Sequence, residues 1–197
     1  MNRRSFLAAA LGAPALLHAR KSTDIRIKEV SYGYEDYLYR TPIKFGGTEV
    51  NKVTLLNVNV VVESAGGKTA KGFASMPLGN VWAFPSKVLK YEQTLEAMKA
   101  LTVELHRITA AYKEYGHPVD LNHALEPEYV KVADKVTRAL KLAQPIPKLC
   151  TLVTASPFDA AVHDAFGKML GRSTYHTYTP ELMSHDMGHY LGKEFAG

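Results

Sequence analysis

At 197 residues the chain has room for one ordinary domain and a tail. Hydrophobic residues at 46% and charged residues at 22% exclude a disordered chain, which could not bury enough apolar surface to offset its ordering entropy. The formal charge of +5 falls to +3 once Arg3 and Arg4 are set aside, and no Lys/Arg run is interleaved with aromatics, so no nucleic-acid partner is expected.

Residues 1–19 read as an export signal. Arg3 and Arg4 form a positive start, Phe6 to Leu17 an apolar stretch too short to span a bilayer comfortably, and Ala19 a small residue at a cleavage point. The order Asn2-Arg3-Arg4-Ser5-Phe6-Leu7 resembles the twin-arginine signal, which carries folded proteins out of the cytoplasm. An exported, periplasmic chain beginning near Arg20 is expected. No later stretch has the 18 uninterrupted apolar residues of a second membrane element. Cys150 is the single cysteine, which excludes an intramolecular disulfide, and its apolar run Leu149-Cys150-Thr151-Leu152 marks a small buried hydrophobe.

Ile25 and Ile27 alternate with Arg26 and Lys28, the period of a half-buried strand. Tyr34 to Asn51, with Pro42 and Gly46-Gly47, reads as a long loop. Leu56, Val58, Val60 and Val62 define a second strand, Gly66-Gly67 a turn, and Thr69 to Ser75 a third strand. Met76 to Pro85 reads as a second loop. The period then lengthens: Val88, Tyr91, Leu95, Met98, Leu101, Leu105, Ile108 and Tyr112 form one stripe of a helix capped by Ser86 and stopped by Gly116 and Pro118. A second helix is placed from Pro127, burying Val130, Ala133, Val136 and Leu140. A third, Lys148 to Leu170, is rich in small residues and is expected to be the central helix, kinked or broken at Pro157 with Ser156 as cap. The fold class is therefore α+β, a three-stranded antiparallel meander followed by a helical bundle.

This order, together with the run Ser156 to Gly171 and its Asp164, Gly167, Lys168 and Gly171, resembles the N-terminal capping domain of the enolase superfamily. The closest branch is similar to the mandelate racemase and muconate lactonizing enzymes. Pro42 ahead of Phe45-Gly46-Gly47, and Gly72 in the third strand, fit as well. Where the family often has a Glu soon after that glycine, this chain has Phe73-Ala74-Ser75. The resemblance covers residues 25–171. It implies a parent enzyme that removes a proton α to the carboxylate of a small acid, a Mg²⁺ ion in that parent, and a C-terminal (β/α) barrel carrying the catalytic groups. Such a barrel takes about 250 residues, so 172–197 is read as a segment leading to it. No catalytic residue or metal ligand is carried over to this chain, and a homo-oligomer stays open.

The resemblance also implies that two loops of the cap close over substrate. Here they correspond to Tyr34 to Asn51 and Met76 to Pro85. Ile43, Lys44, Phe45, Met76, Leu78 and Trp82 are the lid candidates, with Phe84 beside them, and Lys44 is the cation that would meet an acid substrate. Two alternatives stand beside this reading. One is a stand-alone exported small-molecule binding module. The other is a small metal-binding protein using His185 and His189, which would share a helix face at i,i+4, with His176 nearby. His163-Asp164 invites a general-base reading, but Asp164 is more simply an acceptor for a neighbouring segment.

Overall fold

The computed structural model describes residues 20–196. The stretch read as an export signal lies outside them. The three strands are β1 (Ile25–Phe45), β2 (Thr48–Ser64) and β3 (Thr69–Pro77), antiparallel in the order β1-β2-β3. Ile25, Ile27, Leu56, Val58, Val60 and Val62 are all buried on one face, as their alternation requires.

The stretch expected as a loop at Tyr34 to Asn51 is instead a two-stranded ribbon. Phe45 pairs with Thr48 across Gly46 and Gly47, whose φ angles of 55° and 83° are those of a two-residue type I′ turn. Pro42 had argued for a loop, but it falls in an irregularity between Leu38 and Ile43, where a missing N–H breaks no ladder bond. The ribbon reaches past β3, which ends with Pro77 opposite Leu55. From Glu35 to Phe45 every β1 residue is exposed, so no buried face imprinted a period on the sequence.

Four helices follow: α1 (Asn80–Ala83), α2 (Tyr91–Ala111), α3 (Pro118–Ala139) and α4 (Lys148–Leu170), with α2 and α4 on the sheet and α3 packed on those two. The stripe Met98, Leu101 and Leu105 is fully buried in α2. Ser86 does not cap this helix. Its Oγ accepts from Val88 N and Leu89 N in a preceding turn, Val88 is exposed, and α2 starts after Lys90, whose N–H donates to the Gln93 side chain at 2.9 Å. Helix α3 starts nine residues earlier than Pro127. His117 is its cap, Nδ1 accepting from Val119 N, while Asp120 Oδ2 accepts from His117 N at 3.1 Å and Pro118 occupies the first helical position. Pro127 sits inside α3 on its exposed side, where a lost backbone bond leaves no buried polar group stranded.

Helix α4 is central. It packs on β3, β2, α3 and α2, and Phe158, Ala161, Val162, Ala165 and Phe166 are almost wholly buried. It runs unbroken through Pro157, and the Ser156 hydroxyl donates to Val153 O within the helix rather than capping a new one. Gly72 of β3 lies directly against it: a Cβ there would overlap the Ala161 carbonyl and stand 2.8 Å from the Ala165 Cβ. One register away, Asp164 Oδ2 accepts from Phe73 N at 2.8 Å and from Lys168 Nζ at 2.6 Å, fastening the helix to the strand. Cys150 is buried in the core, and burial pushes its thiol up to about 12.

Residues 172–196 fold back over the N-terminal end of α3. Thr177 and Met183 are buried, and the Lys21 ammonium donates to the carbonyls of Pro180, Glu181 and Met183 at 2.9, 3.0 and 2.6 Å. No helix among the described residues is long and apolar enough to cross a membrane.

Candidate functional site

Two segments some thirty residues apart in sequence meet at the open end of the sheet. One is the tip of the β1–β2 ribbon. The other is the stretch from the end of β3 through α1 to the turn before α2. Leu78 N bonds to Thr54 O at 2.8 Å and turns the chain off β3. Asn80 then fixes α1 to the first turn of α2, its buried Nδ2 donating to Tyr91 O and Thr94 Oγ1, both at 2.9 Å. The Trp82 indole lies over Gly79, where no Cβ would fit, and stays 38% exposed.

Between these segments lies a cleft of about 780 Å³. Phe45, Gly46 and Thr48 form its ribbon side, and Val81, Trp82, Pro85, Val88 and Tyr91 its floor. A smaller adjoining hollow of about 100 Å³ has Tyr39, Ile43 and Phe45 facing Leu78, Gly79 and Trp82. The two share Phe45, Asn80, Val81, Trp82 and Tyr91.

Of the lid candidates, the fold thus brings Ile43, Phe45, Leu78 and Trp82 together. Leu78 is fully buried and serves the core as much as the hollow; Phe84, equally buried, lines the larger cleft. Met76 is half-buried against the core opposite Leu56. Lys44 alternates with Ile43 and Phe45, so it stands on the other face of the ribbon, paired with Glu49 in the ladder. The cations that line the two hollows are Lys87 and Lys52, the latter with its ammonium 5.1 Å from the Tyr91 ring centre. Sequence reasoning missed Tyr39, Lys52, Val81, Tyr91 and Gln144. Gln144 arrives from the connection between α3 and α4, a juxtaposition with no local sequence signal.

The walls include no His, Asp, Glu or Cys; their ionisable side chains are Lys52, Lys87, Tyr39 and Tyr91. Burial, then the charge of Glu92, raises the Tyr91 phenol further from ionisation.

The other candidate constellations are arranged differently from their sequence readings. His185 and His189 do not share a helix face, because the last helix, α5 (Met187–Leu191), begins after His185 with Asp186 as its cap. Their rings stack at 3.9 Å and 16°, and His185 Nδ1 lies 3.2 Å from Asp120 Oδ1, whose other neighbour is the Tyr190 hydroxyl. Parallel stacked imidazoles direct their in-plane lone pairs alongside each other rather than onto one ion. His163 pairs with Asp159, Nδ1 to Oδ1 at 2.8 Å, and not with Asp164. Among the described residues no group of three or more His, Cys, Asp or Glu is placed to hold a metal.

No family model and no curated protein matches the chain. Solved structures do. The chain is similar to an enolase from Bradyrhizobium complexed with magnesium and mandelic acid, at 18% identity and a TM-score of 0.43, over 79% of this chain and 35% of that one. It is similar to L-talarate/galactarate dehydratase from Salmonella typhimurium LT2, at 16% identity and a TM-score of 0.40, over 86% of this chain and 36% of that one. It is similar to L-talarate dehydratase from Polaromonas sp. JS666 complexed with Mg and L-glucarate, at 21% identity and a TM-score of 0.38, over 75% and 33%. The chain spans about a third of the length of each of these proteins.

Proposed function

We propose that residues 25–171 form the substrate-facing cap of an enzyme that removes a proton α to a carboxylate, with the ribbon tip and the stretch Met76 to Pro85 as its lid. One observation carries the reading. Two segments distant in sequence, each exposing apolar side chains, converge on one cleft and its adjoining hollow, whose walls hold no His, Asp, Glu or Cys. A lid of this kind orients substrate and excludes water while other groups do the chemistry. The run from Ser156 to Gly171 adds support. Its Asp164 and small residues do in the fold what a cap needs, seating the central helix against the sheet that carries the ribbon. The acid–base groups would come from a barrel domain, and the protein would work outside the cytoplasm.

The test is α-proton exchange. The chain is joined to a (β/α) barrel domain from its own downstream reading frame, where one is found, and offered a panel of α-deuterated carboxylates. Deuterium wash-out that needs both parts, and that falls when Trp82 is replaced by Ala, is the expected result. An unrelated gene directly after a stop codon, or exchange indifferent to Trp82, would overturn the reading in favour of a stand-alone binding module.

A further inference from the structure

The two outer edges of the sheet are finished differently. On β3 the edge is closed by α4, with Asp164 accepting from Phe73 N. On β1 it is closed only at its start. Gly116 pairs with Ile25, Lys113 Nζ donates to Ile27 O at 3.2 Å, and His106 Nε2 donates to Val30 O at 3.0 Å. Val30 therefore turns its carbonyl outward. The ladder to β2 runs without a break from Glu29 to Leu38, so Tyr32, Tyr34, Asp36 and Leu38 turn their N–H and C=O groups outward as well. Among the described residues no backbone partner meets those groups.

Beside this open edge three large side chains follow one another, Tyr37, Leu38 and Tyr39, and Leu38 is 81% exposed. An uncovered edge strand with apolar side chains is a template for a further strand. Charges of opposite sign flank the run, Glu35 and Asp36 before it, Arg40 and Lys44 after it. Thr54 Oγ1 donates to Asp36, and Asn57 Nδ2 and the Tyr37 hydroxyl donate to Glu35, which holds both carboxylates at the ribbon.

We propose that this edge seats the same edge of a second copy of the chain, antiparallel, with a two-fold axis at Leu38. The strand is its own complement. Read backwards about Leu38, it sets Asp36 opposite Arg40 of the second copy, twice by symmetry, and Tyr37 opposite Tyr39 of the second copy, while the two Leu38 side chains meet on the axis. An axis at Asp36 or at Arg40 would instead set like charges face to face. Pro42, which has no N–H, falls opposite Tyr34 and ends the ladder, so the seam is short and the dimer dissociates in the micromolar range. The proposal concerns assembly and holds whether or not the ribbon tip is a lid.

Sedimentation velocity of the chain from Arg20 onward, followed from low to high micromolar concentration, is expected to show monomer passing into dimer. Asp36→Arg sets two cations opposite each other at both ends of the seam, and Arg40→Asp sets two carboxylates there. Each alone should weaken the dimer at least about ten-fold. An equimolar mixture of the two variants faces opposite charges again, as does the double variant D36R/R40D. Both should recover dimerisation, which damage to the ribbon could not produce. Cys150 is buried, so Leu38→Cys supplies an exposed thiol on the axis and should give a disulfide-linked dimer on mild oxidation, whereas Lys44→Cys should not. Trp82 is the single tryptophan of the chain, and its emission with circular dichroism verifies the fold of each variant. A monomer at every concentration would overturn the proposal. So would a dimer indifferent to both single reversals, which would put the contact on another surface, or a mixture that associates no better than its parts.

Discussion

Gly72 and Ala161 meet backbone to backbone: the strand passes so close to α4 that the Ala161 carbonyl occupies the space a Cβ on Gly72 would need. Gly72→Ala must therefore push strand and helix apart, and a loss of about 1–3 kcal/mol is expected. Gly33, on the same sheet, has nothing within 4 Å of its Cβ position, so Gly33→Ala should be neutral or slightly stabilising. Urea unfolding of the two variants side by side checks this. Equal midpoints would contradict the close packing.

Asp164 ties the same interface through Phe73 N. Asp164→Ala should lose about 1–2 kcal/mol, and Asp164→Asn, which keeps an acceptor, distinctly less. Lys168→Ala removes an exposed i,i+4 partner and should cost only about 0.3–0.5 kcal/mol. An Asp164→Ala variant as stable as the parent would show that water replaces the carboxylate at the strand edge.

The buried cap of α3 makes stability depend on pH. Burial pushes the His117 imidazole down to about 4 from 6.5; the nearby His163 adds to this, and Asp120 and the Thr177 backbone oppose it. Between those values the unfolded chain binds the proton and the folded one does not. Stability is therefore complete above about pH 6.5 and is lost as pH falls towards 4. Asp24 slopes the other way, since burial raises its carboxyl in the folded state. His117→Asn keeps a good cap and removes the titration, so urea midpoints between these pH values should flatten relative to the parent. Parallel curves for the two proteins would refute the assignment.

The cleft walls and the core are separable by substitution. Phe45 is half exposed, and Phe45→Ala should change stability by no more than about 0.5 kcal/mol. Leu78→Ala empties a fully buried position and should cost about 2–5 kcal/mol. Lys44→Ala, on the opposite face of the ribbon, should alter ligand binding less than Phe45→Ala does. Calorimetric melting together with Trp82 titrations measures all three.

Export is expected to depend on the paired arginines. Replacing Arg3 and Arg4 with Lys should hold a tagged chain in the cytoplasm. An unchanged periplasmic fraction would argue against the twin-arginine route.

The parts of the fold that bury a face could be read from the sequence. Leu56 to Val62 and Met98 to Leu105 announce their periods because one side of each is in the core. The small residues of α4 pointed to a central helix, and Asp164 to an acceptor for a neighbouring segment. The ribbon was illegible for the converse reason: its tip is exposed on both faces, and Pro42 with two glycines imitates a loop. The start of α3 was hidden because His117 does a cap's work that Ser, Thr, Asp or Asn usually does, though Asp120 three residues on was a readable sign. Ile43, Phe45 and Trp82 could be named in advance, but their assembly with Tyr91 and Gln144 depends on tertiary contacts that no local pattern encodes.

The ammonium of Lys21 sits among three carbonyls contributed by Pro180, Glu181 and Met183, a contact spanning some 160 positions of sequence. Such a clasp has one of the longest loops in the molecule to close, and it forms only after nearly the entire domain has left the ribosome. Lys21, two positions after the stretch read as an export signal, is therefore among the last residues to be locked into place. Completion of that lock would mark a finished domain, and a route that carries only folded cargo would have, at the junction with its own signal, a point at which folding can be sensed.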